Sequence, residues 1–111
     1  MGVRLALAAV LCAVAAAPAF AQKSTADGLL DCEKLAAVKF KQENPAFKKF
    51  AIDATDVEED KFADKVGTQF VSTVYHGKAT YQADGKPDDV RFVCLHAGLG
   101  KGAVFVYTLP R

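Results

Sequence analysis

The chain has 111 residues, with 14 basic and 13 acidic side chains, and 51% of its residues are hydrophobic. This length accommodates one domain of ordinary size and excludes two. The balanced charge argues against a general nucleic-acid binder, because such a protein needs a basic surplus to displace counterions from phosphates.

Residues 1–21 have the pattern of a secretory signal peptide. A single basic residue, Arg4, precedes a long apolar run, and an A-x-A pattern that ends at Ala21 follows it. The apolar run is shorter than the roughly 20 residues that a bilayer span needs, so we expect cleavage and no membrane span in the mature chain. The sequence therefore predicts a periplasmic or secreted protein that starts near Gln22.

Beyond the leader we expect a flexible lead-in over residues 22–28 and a single domain over residues 29–111. Two cysteines remain in this part of the chain, Cys32 and Cys94. An even number of cysteines in a small exported domain is typical of a disulfide. The close C-x-x-C spacing that redox sites favour is absent. We therefore predict a structural Cys32–Cys94 bond.

The first element of the domain is predicted to be an amphipathic helix. Leu29, Cys32, Ala36 and Phe40 recur at spacings of three and four residues, which places them on one face of an α-helix. Asn44 stands directly before a proline and should end the helix, because that position disfavours helical backbone.

Four β patterns follow the helix. They cover residues 47–54, 66–81, 90–96 and 103–109, with an acidic, turn-like stretch over residues 56–65. The connections are too short for crossover helices. The sequence therefore predicts an α+β fold, in which one N-terminal helix packs on a three- to four-stranded antiparallel sheet and one disulfide staples the two layers.

The sheet is predicted to be apolar on both faces. If Cys94 points to the helix, Val93 and Leu95 point to the other side, since side chains alternate along a strand. Together with Tyr81 and Tyr107 they form a candidate interface for a partner or for self-association. The alternative is that curvature of the sheet closes over these residues and makes them a second small core.

The two histidines are candidates for a metal site. If Gln82 pairs with Val90, His76 lies opposite His96, and two facing imidazoles could hold zinc or copper. Two ligands are only part of a site, and a one-residue slip in register separates them. Surface histidines without a metal are therefore the preferred interpretation, and we predict neither a metal nor another cofactor.

Nucleophilic catalysis finds no support in the sequence. It has no G-x-S-x-G pattern, and residues 22–111 contain only two serines, Ser24 and Ser72. We therefore predict a non-enzymatic, inhibitor- or adaptor-like domain that acts through a protein partner in the periplasm or outside the cell. The main alternative is a periplasmic carrier of a small ligand or metal that uses His76 and His96, and a small enzyme is a third.

One stretch resembles a known pattern. Residues 75–81 (YHGKATY), residues 91–95 (RFVCL), a glycine turn and a final strand are similar to small exported bacterial proteins that mostly have no assigned function. Those proteins carry a G-x-[G/A]-x-Y strand followed by an aromatic strand that ends in Cys. The resemblance implies an exported, sheet-rich module and assigns no chemistry to any residue.

Overall fold

The computed structural model describes residues 25–110, which form one helix and a four-stranded antiparallel sheet. The helix, α1, covers residues 25–43. The strands are β1 (Lys49–Val66), β2 (Gln69–Gln82), β3 (Asp88–His96) and β4 (Ala103–Pro110). They lie in the sheet in chain order, so each strand pairs with its neighbour in sequence. The predicted α+β fold is confirmed.

The helix starts earlier than the sequence indicates. Residues 25–28, which belong to the predicted flexible lead-in, are already helical, and the helix ends before Asn44, whose backbone N–H donates to the Phe40 carbonyl. The Asn44 side chain then accepts a hydrogen bond from the Ala46 N–H, which turns the chain toward β1. No helix within residues 25–110 is long and apolar enough to cross a membrane. The predicted signal peptide lies outside the described residues.

The main core lies between α1 and one face of the sheet. The predicted helix stripe is buried there. The ring of Phe40, the last residue of the stripe, packs against the rings of Phe50 and Tyr81, with centroid distances of 5.4 and 5.5 Å. Each fully buried side chain of this size contributes about 1.5–3 kcal/mol. The buried core residues are Leu29, Cys32, Ala36, Phe40, Phe47, Phe50, Tyr75, Ala79, Phe92, Cys94 and Val106.

The predicted disulfide is present and joins the two layers of this core. Cys32 of α1 is bonded to Cys94 of β3, and both side chains are fully buried. Disulfides of this kind are typical of oxidising compartments outside the cytoplasm.

The first strand differs from the prediction. Residues 56–65 continue β1 instead of forming an acidic turn, and their side chains are largely exposed. The pairing of β1 with β2 shifts between Ile52 and Val57, where an irregular segment lies opposite Gly77. A Cβ added to Gly77 would overlap the Asp56 carbonyl oxygen, so the close approach of the two backbones requires glycine.

A local turn organises this irregular segment. The Thr55 N–H and hydroxyl both donate to Asp53 Oδ1, at 3.1 and 2.7 Å. These bonds favour the ionised carboxylate and lower the pKa of Asp53. The bulge is therefore an ordered turn that lets β1 pair again with β2 at Val57.

Side chains of α1 reach both outer strands of the sheet. Glu33 Oε2 accepts a hydrogen bond from the Ile52 N–H of β1 at 2.9 Å. Lys39 Nζ donates to the Val106 carbonyl of β4 at 2.6 Å and lies 4.3 Å from the Phe105 ring centroid. Unpaired edge groups can template pairing with another chain, so these contacts protect one position on each edge.

Candidate functional site

The two histidines lie on opposite faces of the sheet. His76 pairs with Val93, and His96 pairs with Thr73, so the candidate His76–His96 pair, which required Gln82 to pair with Val90, is not formed. The expected Gln82–Val90 pairing is replaced by Tyr81–Asp88, which shifts the register by an odd number of residues. An odd shift turns every side chain of one strand to the other face of the sheet. A metal site that uses both histidines is therefore excluded by geometry.

His96 is almost fully buried under the N-terminal part of α1, so the interpretation of both histidines as surface residues is wrong for His96, whereas His76 is partly exposed. The Nε2 of His96 lies 2.9 Å from Asp31 Oδ2, and its Nδ1 accepts a hydrogen bond from the Gly98 N–H at 3.0 Å. This arrangement resembles the Asp–His pair of hydrolases, but the lone pair that would take a proton is already bonded to the backbone. Through these two hydrogen bonds, His96 connects the turn after β3 to α1.

Tyr75 lies beside His96, with ring centroids 5.9 Å apart, and its hydroxyl approaches the helix at Gly28. A Cβ at Gly28 would overlap this hydroxyl. Burial raises the pKa of Tyr75 to about 12, and the nearby Glu59 carboxylate, which hydrogen-bonds the phenol, contributes to the shift. Tyr75, Glu59 and His96 thus form a polar cluster at the end of the core, with their hydrogen-bonding groups engaged.

The Tyr75 environment predicts a loss of stability in alkali. An unfolded tyrosine ionises near pH 10, whereas the folded pKa is about 12. The stabilisation is complete below pH 10 and declines as the pH rises toward 12, because the unfolded chain releases the proton first. We expect Tyr75→Phe to remove this part of the pH dependence, measured by denaturant unfolding between pH 9 and pH 12. The exposed Tyr107→Phe is the control, and an unchanged pH dependence in Tyr75→Phe would contradict the assignment.

The outer face of the sheet, opposite α1, carries the second apolar surface. Val93 pairs with Tyr107 and Leu95 pairs with Phe105 across β3 and β4. The rings of Phe105 and Tyr107 stack at 6.3 Å, and these side chains are 44% and 48% exposed. We call these four residues, together with the exposed Leu109, the outer apolar patch.

Tyr81 does not belong to this patch, in contrast to the prediction. Its ring packs against Phe40 at 5.5 Å and against Phe47 at 5.5 Å, so it lies on the helix side of the sheet. The reason is the register, because Tyr75 pairs with the helix-facing Cys94, and Tyr81 lies an even number of residues further along β2. The other three predicted residues, Val93, Leu95 and Tyr107, are brought together.

An apolar groove continues the patch toward the tip of the β1–β2 hairpin. It is about 350 Å³ in volume. Its lining residues are Val66, Gln69, Val71, Leu95, Val104 and Phe105. Phe105 was not among the predicted interface residues, although its alternation with Val104 and Val106 along β4 is the signal that identifies it.

The charged end of the outer face contains a cluster that sequence reasoning missed. His76 Nε2 lies 2.9 Å from Asp60 Oδ2 and 3.5 Å from Glu58 Oε2. The cluster opens into a cavity of about 340 Å³ that is also lined by Lys78 and Arg91. Since both carboxylates come from a stretch that reads as an acidic turn, no sequence pattern places them opposite His76.

No family model, no curated protein and no solved structure gives a significant match. The resemblance of residues 75–81 and 91–95 to small exported bacterial proteins therefore stays a prediction. What this chain does must be inferred from the geometry of its own surfaces.

Proposed function

We propose that this protein is a small exported, non-enzymatic binding domain that acts as an inhibitor or adaptor through a protein partner. The observation that carries the proposal is the outer apolar patch, in which Phe105, Tyr107 and Leu109 are each at least 40% exposed. Exposed apolar surface of this kind marks interaction sites on small proteins. Aromatic side chains are also enriched at protein interfaces.

The geometry of β4 favours docking on the face of the sheet over addition of a strand at its edge. The Val106 carbonyl on that edge is already bonded to Lys39. A partner strand that paired along β4 would have to displace this charged donor. The exposed Tyr107 ring and the exposed part of the Phe105 ring, which Lys39 Nζ approaches to 4.3 Å, can instead enter an apolar pocket of a partner.

A non-enzymatic role is supported by how the reactive side chains are used. Cys32 and Cys94 are bonded to each other, and both ring nitrogens of His96 are engaged. Neither cysteine can therefore serve as a nucleophile, and His96 offers no free lone pair to a substrate. Export is supported by the predicted leader at residues 1–21 and by the disulfide.

Charge substitutions on the patch test the proposal. We expect Tyr107→Lys and Leu109→Lys to leave the fold intact, because both side chains are already partly in water, and to abolish partner capture. The matched control is Val38→Lys, which adds the same charge at an exposed apolar position on α1. Each oxidised variant would be used as bait for the exported proteins of the source organism, with bound proteins identified by mass spectrometry.

The outcomes separate the partner from the alternatives. A protein captured by the native chain and by Val38→Lys, and lost in both patch variants, supports the proposal. Equal capture by all variants, or no capture by any, contradicts it. Sedimentation of the same samples tests self-association, which would appear as a dimer that only the patch variants dissociate.

The carrier hypothesis in its predicted form is not supported. It requires His76 and His96 to face one another, and they lie on opposite faces of the sheet. Within residues 25–110, the one group of three or more side chains close enough to share a metal ion contains His76 and does not contain His96.

A further inference from the structure

We propose that Glu58, Asp60 and His76 form a binding site for a divalent transition-metal ion such as Zn²⁺ on the outer face of the sheet. The site is independent of the proposed protein docking and uses none of the residues of the outer apolar patch. It is also distinct from the His76–His96 pair, because it takes one histidine and two carboxylates from a different pair of strands.

Strand pairing fixes the three side chains on one face. Glu58 lies directly opposite His76, and Asp60 lies opposite Val74, two residues along β2. Residues two apart on a strand point to the same side of the sheet, so both carboxylates face the imidazole. The site therefore rests on two adjacent strands of the sheet, where ligands are positioned more firmly than on loops.

The bulge at Asp56 and Gly77 creates this alignment. An unbroken ladder from the Ile52–Ala79 pair would place Ala54 opposite Gly77, whereas the bulge places Val57 there. That odd shift moves Glu58 and Asp60 onto the outer face beside His76. The close backbone approach at Gly77 is thus part of what assembles the cluster.

The distances fit a shared cation. The three candidate ligand atoms all lie within 4.8 Å of one another, and the His76 Nε2 is 2.9 and 3.5 Å from the two carboxylate oxygens. Ligand atoms that are bound to tetrahedral zinc at about 2.0–2.2 Å lie roughly 3.3–3.6 Å apart. Small rotations of two exposed carboxylates are enough to reach that spacing.

The donor set and its surroundings select the class of metal. An imidazole nitrogen suits zinc and its transition-metal neighbours, while calcium and magnesium prefer oxygen ligands alone. Three protein ligands leave a coordination position for water, as in zinc sites that remain open. Two cationic side chains line the same cavity, Arg91 and Lys78, and Lys78 is paired with Asp56 at 3.2 Å. The two ligand carboxylates offset the charge of the metal.

The small stabilisation from exposed ion pairs does not by itself account for the clustering of Glu58, Asp60 and His76. Both carboxylates are well exposed, and exposed ion pairs contribute about 0–1 kcal/mol. A bound cation would account for the convergence of two carboxylates on one imidazole at the mouth of a cavity of about 340 Å³.

The test is calorimetric titration of the untagged, oxidised protein with ZnSO₄ at neutral pH. We expect one Zn²⁺ per chain, no competition from excess Ca²⁺, and loss of binding in His76→Gln. Glu58→Gln and Asp60→Asn should each weaken binding by on the order of tenfold or more. Titration with Co²⁺ should give a visible absorption spectrum that disappears in His76→Gln. Asp64→Asn, on the same strand but outside the cluster, is the matched control and should bind as the native chain does.

Three results would overturn the site. These are the absence of one-to-one binding below millimolar Zn²⁺, affinity that His76→Gln retains, and a loss in Asp64→Asn as large as that in Asp60→Asn. Circular dichroism checks that each variant is folded. We expect native spectra, since His76 and both carboxylates are outside the core. Partner capture by the Tyr107→Lys variant is a separate readout, so failure of the metal site leaves the docking proposal unaffected.

Discussion

Replacing Cys32 with alanine should lower the free energy of unfolding by about 2–5 kcal/mol. The bond joins residues 62 positions apart, and the loop-entropy account assigns a closed loop of that size about 4 kcal/mol. Small domains have only about 5–15 kcal/mol in total, so the loss removes a large part of their stability. Denaturant unfolding of the native and variant proteins under oxidising conditions measures it.

The double variant Cys32→Ala, Cys94→Ala is the control for this prediction. Without the predicted leader, which contains Cys12, it leaves no free thiol, so a similar loss in the single and double variants assigns the effect to the missing cross-link. Free thiols in the folded, non-reduced native protein, or equal stability of the native protein with and without reductant, would contradict the prediction.

Gly77→Ala should also be destabilising, by about 1–3 kcal/mol, the usual cost of forcing extra atoms into a filled space. Strand propensity predicts the opposite sign, because glycine in a strand is ordinarily worse than alanine. The added methyl group would overlap the Asp56 carbonyl oxygen, so one of the two backbones has to move. Thermal or denaturant unfolding measures the difference.

Thr80→Ala is the matched control, since Thr80 lies on the same strand and is half-buried. It should change stability less than Gly77→Ala does. A Gly77→Ala protein as stable as the native chain would show that the bulge relaxes without cost. The same variant should weaken Zn²⁺ binding, because the bulge sets the position of Glu58 relative to His76.

The main core could be predicted from the sequence because it depends on a local spacing pattern in the helix and on a single possible pairing of cysteines. The spacing of Leu29, Cys32, Ala36 and Phe40 defines a helix face without knowledge of the sheet. Two cysteines allow one pairing, and this placed β3 against α1. Once Cys94 faces the helix, the outward direction of Val93 and Leu95 follows from alternation alone.

The register and the bulge could not be predicted, and the site depends on both. The loop between β2 and β3 covers residues 83–87, shorter than the composition of residues 83–89 indicates. Because of the shorter loop, the observed register differs from the expected one. His76 does not face His96 in it, and Tyr81 lies on the helix side of the sheet. The strand character of residues 56–65 was missed because acidic side chains disfavour strands, and here they are tolerated on an exposed edge strand.

The long separation between the two bonded cysteines has a consequence for how the protein matures. In a chain exported from its N-terminus, Cys32 reaches the oxidising compartment well before Cys94, and β1 and β2 must follow before its partner arrives. Until then the Cys94 thiol is not available to Cys32, whose possible partners are Cys12 of the predicted leader and the thiols of other molecules. Once the predicted leader with Cys12 is removed, the single possible intramolecular disulfide is the native Cys32–Cys94 bond. For a chain exported in this way, formation of the Cys32–Cys94 bond would therefore require an oxidant but no disulfide isomerase, and a premature bond from Cys32 would link the chain to another molecule.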